Sequence, residues 1–378
     1  VTIISRSNNW KNRVPSKLNN KLKKNNSFLK SYKNLKVLIT GSTGFKGAWL
    51  ANWLLMLGAK VVGVGLKPEK DSIIFSSLEL NKRINQYFVD IKNFNKIDKI
   101  IKKEKPDIIF HLAAQSIVSS SFKNPLETFG TNVIGSANIL ESVKTNKIPN
   151  LVYITSDKCY LNLDTKFSYK ESDVLGGLDN YSSSKASAEL LFKSYFLSYF
   201  KRNYISIATA RAGNVIGGGD FKKDRIVPDV IKSLKSDKKV FLRNPNATRP
   251  WQHVLEPLSG YLILGEKLIN KKLNSKIIPN WNFGPYRKNC KKVKFIVQLL
   301  IKEWGKKNHK IIIKKDKTFH ESKLLSLNID KAKKELNWEP TLTLNESIEF
   351  TVDWYKNFFL YNDVEDISNQ QIDYYSDK

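Results

Sequence analysis

The sequence predicts an α/β fold built on a doubly wound parallel sheet, followed by a smaller C-terminal lobe suited to holding a substrate. Three observations carry this reading. A buried-type strand, "KVLIT" at 36–40, runs straight into the glycine-rich turn "GSTGFKG" and then into a helical segment. Strand-like and helical runs then alternate as far as about residue 215, the pattern of β-α-β units. Polar, chemistry-bearing residues cluster just after strand-like runs, where parallel sheets place their sites.

The elements follow in order. After the turn, Leu50, Trp53, Leu54 and Leu57 recur at i, i+3, i+4 and i+7, which gives a helix one apolar face. "VVGVGL" and "QYFVDI" read as strands, with a polar helix near 93–104 behind them. "PDIIFHLAA" precedes a helix near 126–144, "NLVYITS" precedes one near 181–199, and "YISIATARAG" closes the run. Six or seven strands with helical crossovers make a Rossmann-type unit over 36–215, to which 251–285 is expected to return. Short helices and many turn residues in 216–250 and 286–350 suit the smaller lobe. Residues 1–35 read as a basic extension and 351–378 as a C-terminal tail.

The chain of 378 residues carries a formal charge of +29, yet nucleic-acid and membrane partners are not expected from it. Only nine of the 64 basic residues are Arg, and Lys is spread along the whole chain. A phosphate-tracking surface concentrates its cations instead. The one concentration is 1–35, with nine Lys or Arg and no acid. No run reaches the length of a transmembrane helix. Cys159 and Cys290 are too few for a disulfide framework and form no metal-ligand pattern, so a reducing cytoplasm is the expected setting.

Gly41, Gly44 and Gly47 follow a strand and open a helix, a context that lets backbone approach a dinucleotide pyrophosphate at a helix N-terminus. Their spacing is G-x-x-G-x-x-G. The acid expected some twenty residues on is missing, and Lys67 stands after the second strand. Lys67 can accept a 2′-phosphate, which leaves NADP open beside NAD, and Asp90 remains for the adenine edge. Tyr181 and Lys185, in "YSSSK", share one helix face a turn apart. An ammonium there favours the phenolate and fits a redox site. "ITSDKCY" ends the strand before that helix, so Ser156 can meet the reacting hydroxyl. Asp157 and Lys158 add a second acid and a second base, which points to elimination alongside hydride transfer.

With these residues in place, the chain resembles the extended short-chain dehydrogenase/reductases, and within them the CDP-glucose 4,6-dehydratases. The resemblance runs from about Lys36 to about Phe350. It rests on "TGSTGFKGAWL", "FHLAAQ", "TNVIGSANILE", "ITSDKCY", "YSSSKASAEL", "RAGNVIGGGDFKKDRIVPD", "RNPNATRPWQHVLEPLSGYL" and "WNFGP". It implies that Tyr181 deprotonates the glucose 4-hydroxyl as hydride passes to NAD, assisted by Ser156 and Lys185. Lys158 then takes the carbon-5 proton, Asp157 protonates the departing 6-hydroxyl, and hydride returns to carbon 6. It implies a cofactor cradle of Gly41, Thr43, Gly44, Phe45 and Gly47, completed by Asp90, Ile91, Leu112, Ala113, Ala114, Tyr181 and Lys185. For the nucleotide-sugar it implies Asn214, Arg225, Arg249 and Asn282, with His253 and His320 in matching stretches but equally suited to structural roles. Cys159 reads as a small buried residue. A homo-oligomer is expected.

Two positions depart from the family pattern. Lys67 replaces the usual Asp or Asn, and Ser119, in "SIVSSSF", replaces an Arg. Competing readings are a nucleotide-sugar 4-epimerase, which does not need Asp157 and Lys158, a dehydratase for another nucleotide, and a noncatalytic binder of anionic polymers.

Overall fold

The computed structural model describes residues 30–69, 72–164, 167–203, 205–273, 278–306, 309–313, 324–361 and 364–378. Residues 1–29 of the basic extension and His320 lie outside the described residues. Seven strands form one parallel sheet: β1 (Lys36–Thr40), β2 (Lys60–Gly65), β3 (Asn85–Phe88), β4 (Ile108–His111), β5 (Asn150–Ile154), β6 (Ser206–Ala212) and β7 (Asn280–Phe283). Their spatial order is β7-β6-β5-β4-β1-β2-β3. The order reverses between β1 and β4, whose Thr40 and His111 are in register at the carboxyl ends. Such a switch point opens a crevice for ligands.

Side chains alternate along each strand, so neighbours enter opposite layers. Val37 and Ile39 pack with α1 (Phe45–Met56), while Leu38 packs with α2 (Phe94–Glu104), α3 (Ser136–Thr145) and α4 (Asn180–Tyr195). Both faces of the sheet are therefore covered, which is why its strands read as continuous apolar runs. The smaller lobe holds α5 (Ile226–Lys235) and, after the long buried α6 (Leu255–Ile269) and β7, α7 (Val293–Trp304). Two short strand pairs belong to it: Val240–Leu242 runs parallel to Ile311–Ile313, and Thr248–Pro250 antiparallel to Cys290–Lys292.

The two ends differ from expectation. The 351–378 tail is the second half of α8 (Leu344–Tyr361) followed by α9 (Val364–Asp377). Trp354 and Tyr355 are fully buried, and Val364, Ile367, Ile372 and Tyr375 join the same core as α1. Tyr375 donates its hydroxyl to Glu256 Oε2 at 2.7 Å. Packing of α9 on α1 explains why residues Gly47–Leu54 are buried right round that helix, Asn52 included, where periodicity predicts a single apolar face. Asn52 donates to Asn369 Oδ1 at 2.8 Å inside the contact, while its own Oδ1 is buried with no hydrogen-bond partner among the described residues. At the other end the packed structure starts before Lys36, because Tyr32 is fully buried and donates to the Leu262 carbonyl at 2.6 Å. No helix among the described residues is long and apolar enough to cross a membrane.

Candidate active site

A cleft of about 890 Å³ opens at the carboxyl ends of the strands. Its floor is the glycine turn. Gly41 has φ +75°, and a Cβ there would come within 2.8 Å of the Ala113 nitrogen. A Cβ on Gly47 would stand 2.0 Å from the Gly41 carbonyl oxygen. Only glycine lets α1 start this close to β1 and leaves its N-terminus open to the cleft. Thr43, Gly44, Phe45, Asp90, Ile91, Leu112, Ala113 and Ala114 line the same cleft. Those contours fit a dinucleotide whose pyrophosphate rests on the α1 N-terminus. Lys67 is exposed on the rim beside Gly65. Asp90 is engaged on one oxygen by the Lys92 backbone N–H at 2.8 Å.

Beyond the turn the structure brings Ser156, Asp157, Lys158, Tyr181 and Lys185 into one place, all lining the cleft. A single helical turn, Asp157–Cys159, follows β5, and Ser156 caps it by accepting the Lys158 N–H at 3.3 Å. The Ser156 hydroxyl donates to Asp157 Oδ1 at 3.0 Å. The other carboxylate oxygen, Oδ2, is buried with no hydrogen-bond partner among the described residues. Burial raises the Asp157 pKa, opposed by Lys158, Ser156, Lys46 and Arg249. A carboxyl held this way can carry a proton and give it up, the property of a general acid.

α4 begins at the N-cap Asp179, which accepts the Ser182 N–H at 2.9 Å. The Lys185 ammonium lies 5.9 Å from the Tyr181 ring centroid. Burial pushes the phenol up to about 12, with the Ser156 hydrogen bond pulling the other way. Burial also lowers Lys185 to about 8. Desolvation thus outweighs the expected drift toward phenolate in this state of the protein.

A buried network fixes the catalytic turn from both sides. Glu189 continues the Tyr181, Lys185 face of α4 by another turn and accepts from Thr155, the residue before Ser156. Its second oxygen accepts from Arg211 Nη2 at 2.8 Å and Thr209 at 3.2 Å. Arg211 Nη1 donates to the Tyr160 hydroxyl at 2.7 Å, just past the turn, and Tyr160 donates to Asn282 Oδ1 at 2.7 Å. Asn282 therefore does not reach the cleft. Its side chain is fully buried, and its amide also donates to the Tyr169 and Asn328 carbonyls, so the substrate role carried over to it is corrected to a structural one.

The remaining residues divide. Asn214, Arg225 and Arg249 line the cleft. Arg225 bonds Asp220 Oδ2 at 2.8 Å and Ser116 Oγ at 2.9 Å, while Ser119 donates to Asp224 Oδ2 at 3.2 Å. His253 is buried against Trp49 and Phe350, and burial lowers it to about 3. It is a neutral core residue. Cys159 is fully buried and its thiol is pushed up. Among the described residues no cluster of His, Cys, Asp or Glu could hold a metal. Two cleft residues escape sequence reasoning. Lys46, inside the glycine turn, is lowered to about 8 by burial and by Arg225, against the pull of Asp157. Asp229, in the first turn of α5, is raised to about 6 by burial and Asp224, against Arg243.

Comparison with known proteins bears on this geometry. Residues 38–351 match the family described as GDP-mannose 4,6 dehydratase. The chain is 40% identical to a CDP-glucose 4,6-dehydratase of Salmonella typhimurium, over 90% of this chain and 96% of that one. Among solved structures, a UDP-glucuronic acid 4-epimerase of Bacillus cereus in complex with UDP-glucuronic acid and NAD superposes with a TM-score of 0.73. It is 25% identical, covering 86% of this chain and 100% of that one. A dTDP-glucose 4,6-dehydratase of Bacillus anthracis in complex with NAD gives a TM-score of 0.71 at 24% identity, covering 85% of this chain and 97% of that one.

Proposed function

Because the chain belongs to the family described as GDP-mannose 4,6 dehydratase, we propose that it dehydrates CDP-glucose to CDP-4-keto-6-deoxyglucose, as a lyase that uses NAD. The observation that carries this reading is the union, in one cleft, of the Tyr181–Lys185 pair with the Ser156-Asp157-Lys158 turn. A simple dehydrogenase or a 4-epimerase needs the pair together with Ser156; only elimination needs Asp157 and Lys158 as well. The Salmonella typhimurium relative supports CDP-glucose as the substrate.

Gly41, Thr43, Gly44, Phe45 and Gly47 would hold NAD, which would supply the hydride store for the reaction and a positive charge that favours the Tyr181 phenolate. The protein moves the protons. Tyr181 takes the proton of the 4-hydroxyl while Ser156 orients that hydroxyl. The resulting ketone acidifies carbon 5, and Lys158, neutral when it acts, removes the carbon-5 proton. Asp157, protonated beforehand, gives its proton to the 6-hydroxyl, which departs as water. Lys158 then returns a proton to carbon 5. Arg225 and Arg249 hold the pyrophosphate, for which a planar guanidinium offers paired donors.

In this reading 36–215 with 251–285 holds the cofactor, and 216–250 with 286–350 holds the nucleotide-sugar. The enzyme works in the cytoplasm as a homo-oligomer. Exposed Leu126, Ile134, Leu190 and Leu197 support a partner copy on the α3–α4 side. The test is incubation with NAD and CDP-, UDP-, dTDP- or GDP-sugars in deuterated water, followed by NMR. A 4-keto-6-deoxy product from CDP-glucose, deuterated at carbon 5, is expected; a 4-epimer without deuterium would overturn the reading.

A further inference from the structure

Seven acidic residues line the cleft, and six of them have partners. Asp220 bonds Arg225, Asp224 bonds Ser119, Glu69 bonds Lys222, Glu127 and Asp90 both pair with Lys92, and Asp157 accepts from Ser156. The seventh, Asp229, has no side-chain hydrogen bond or ion pair to any described residue, although the charges of Arg243 and Lys232 reach it. In a cleft that also presents Arg225 and Arg249 for phosphates, an unengaged carboxylate calls for a ligand group that donates.

An aromatic surface lies in the same part of the cleft. The strand Val240–Leu242 packs against α5, which carries Asp229. Val240 and Leu242 are buried, at 1% and 0% exposure, while the intervening Phe241 turns outward at 57% and lines the cleft with Arg243, Asn244 and Asp229. A large apolar ring left exposed inside a polar cleft suits stacking on a flat partner.

We propose that Phe241 and Asp229 form the nucleobase subsite, in which Asp229 selects a pyrimidine that carries an exocyclic amine. The inference rests on the nucleotide-sugar reading above and adds the residue that sets the base. Cytosine presents a 4-amino donor where uracil and thymine present a carbonyl acceptor. The carboxylate accepts from the first. Against the second it sets two acceptors face to face, each losing its water without a replacement bond. Stacking on Phe241 favours every base and discriminates none.

The test measures binding of free CDP and UDP by calorimetry, and kcat/KM with CDP-glucose and UDP-glucose, for the wild type, Asp229→Asn and Phe241→Leu. A charged hydrogen bond is worth about 10- to 100-fold in affinity. The wild type is expected to prefer CDP by at least about 10-fold, and Asp229→Asn to reduce the CDP:UDP ratio by most of that factor, since an amide can donate to the uracil carbonyl. Phe241→Leu is expected to weaken both ligands alike. A wild-type preference that survives unchanged in Asp229→Asn overturns the proposal, as does tighter binding of UDP or GDP than of CDP by the wild type. A protein that selects CDP through Asp229 yet dehydrates no sugar would keep the subsite and sink the proposed reaction, so the two failures are distinct.

Discussion

Replacing Glu189 with Gln removes one charge from a pair whose side chains are each only 2% exposed. The change leaves the Arg211 guanidinium in the interior without its counter-charge, and breaking a buried ion pair from one side costs about 3–5 kcal/mol. Part of that loss is geometric. The carboxylate serves Thr155 on one oxygen and Arg211 with Thr209 on the other. A glutamine keeps a single acceptor oxygen, so the bond to Thr155 survives only if that hydroxyl turns to accept from the new amide, and otherwise its loss costs about 1 kcal/mol. Urea unfolding of wild type and variant measures the difference from the shift in midpoint at unchanged m. The double variant Glu189→Gln/Arg211→Met removes both charges and is expected to lose less than Glu189→Gln alone. A single variant that costs under about 1 kcal/mol, or a double variant worse than the single, refutes the claim that this pair is a mutually compensated buried clamp. The effect on chemistry follows from the same bonds. The clamp joins the helix carrying Tyr181 and Lys185 to the strand end carrying Ser156, so kcat is expected to fall with little change in KM.

Further outcomes follow from the site. Tyr181→Phe is expected to stop carbon-4 oxidation and every later step, whereas Lys158→Ala should permit the first hydride transfer and lose exchange of the carbon-5 proton; normal turnover by Lys158→Ala would remove it as the base. Burial raises the Asp157 pKa above its ordinary 3.8, so stability falls as pH rises from that value through the folded pKa, and above it the ionised, buried carboxylate is a standing cost. Asp157→Asn should therefore unfold at higher urea than wild type at neutral pH, with the gain vanishing at acid pH, while activity is lost; equal midpoints at neutral pH would contradict the burial argument. Lys67→Asp restores an acid at the adenosine end and is expected to tighten NAD binding in calorimetry; a shift toward NADP would show that Lys67 does not face the ribose.

What could be read from the sequence was set by short-range patterns. The strand 36–40, the glycine turn and the Tyr181–Lys185 face each depend on residues within a turn or two, and the sheet order follows from connections between parallel strands. The Glu189–Arg211 pair joins a helix to a strand through tertiary packing alone, and nothing in the local sequence marks it. Asn282 was misplaced for a related reason: a motif fixes where a residue lies along a strand, but not whether its amide turns to the cleft or to Tyr160. Lys46 stood in plain view inside "GFKG", yet one Lys carries little signal in a chain with 64 basic residues. The helix α9 was hidden because Ser368 and Gln371 interrupt its apolar face, although both are fully buried.

The central claim is that one cleft couples oxidation at carbon 4 to elimination across carbons 5 and 6. CDP-glucose carrying deuterium at carbon 4, turned over with NAD in ordinary water, tests it most directly. The account predicts that NMR finds the deuterium on carbon 6 of the 4-keto-6-deoxy product, with carbon 5 carrying hydrogen from solvent. Deuterium retained at carbon 4 of an epimer, or lost to water, would contradict it.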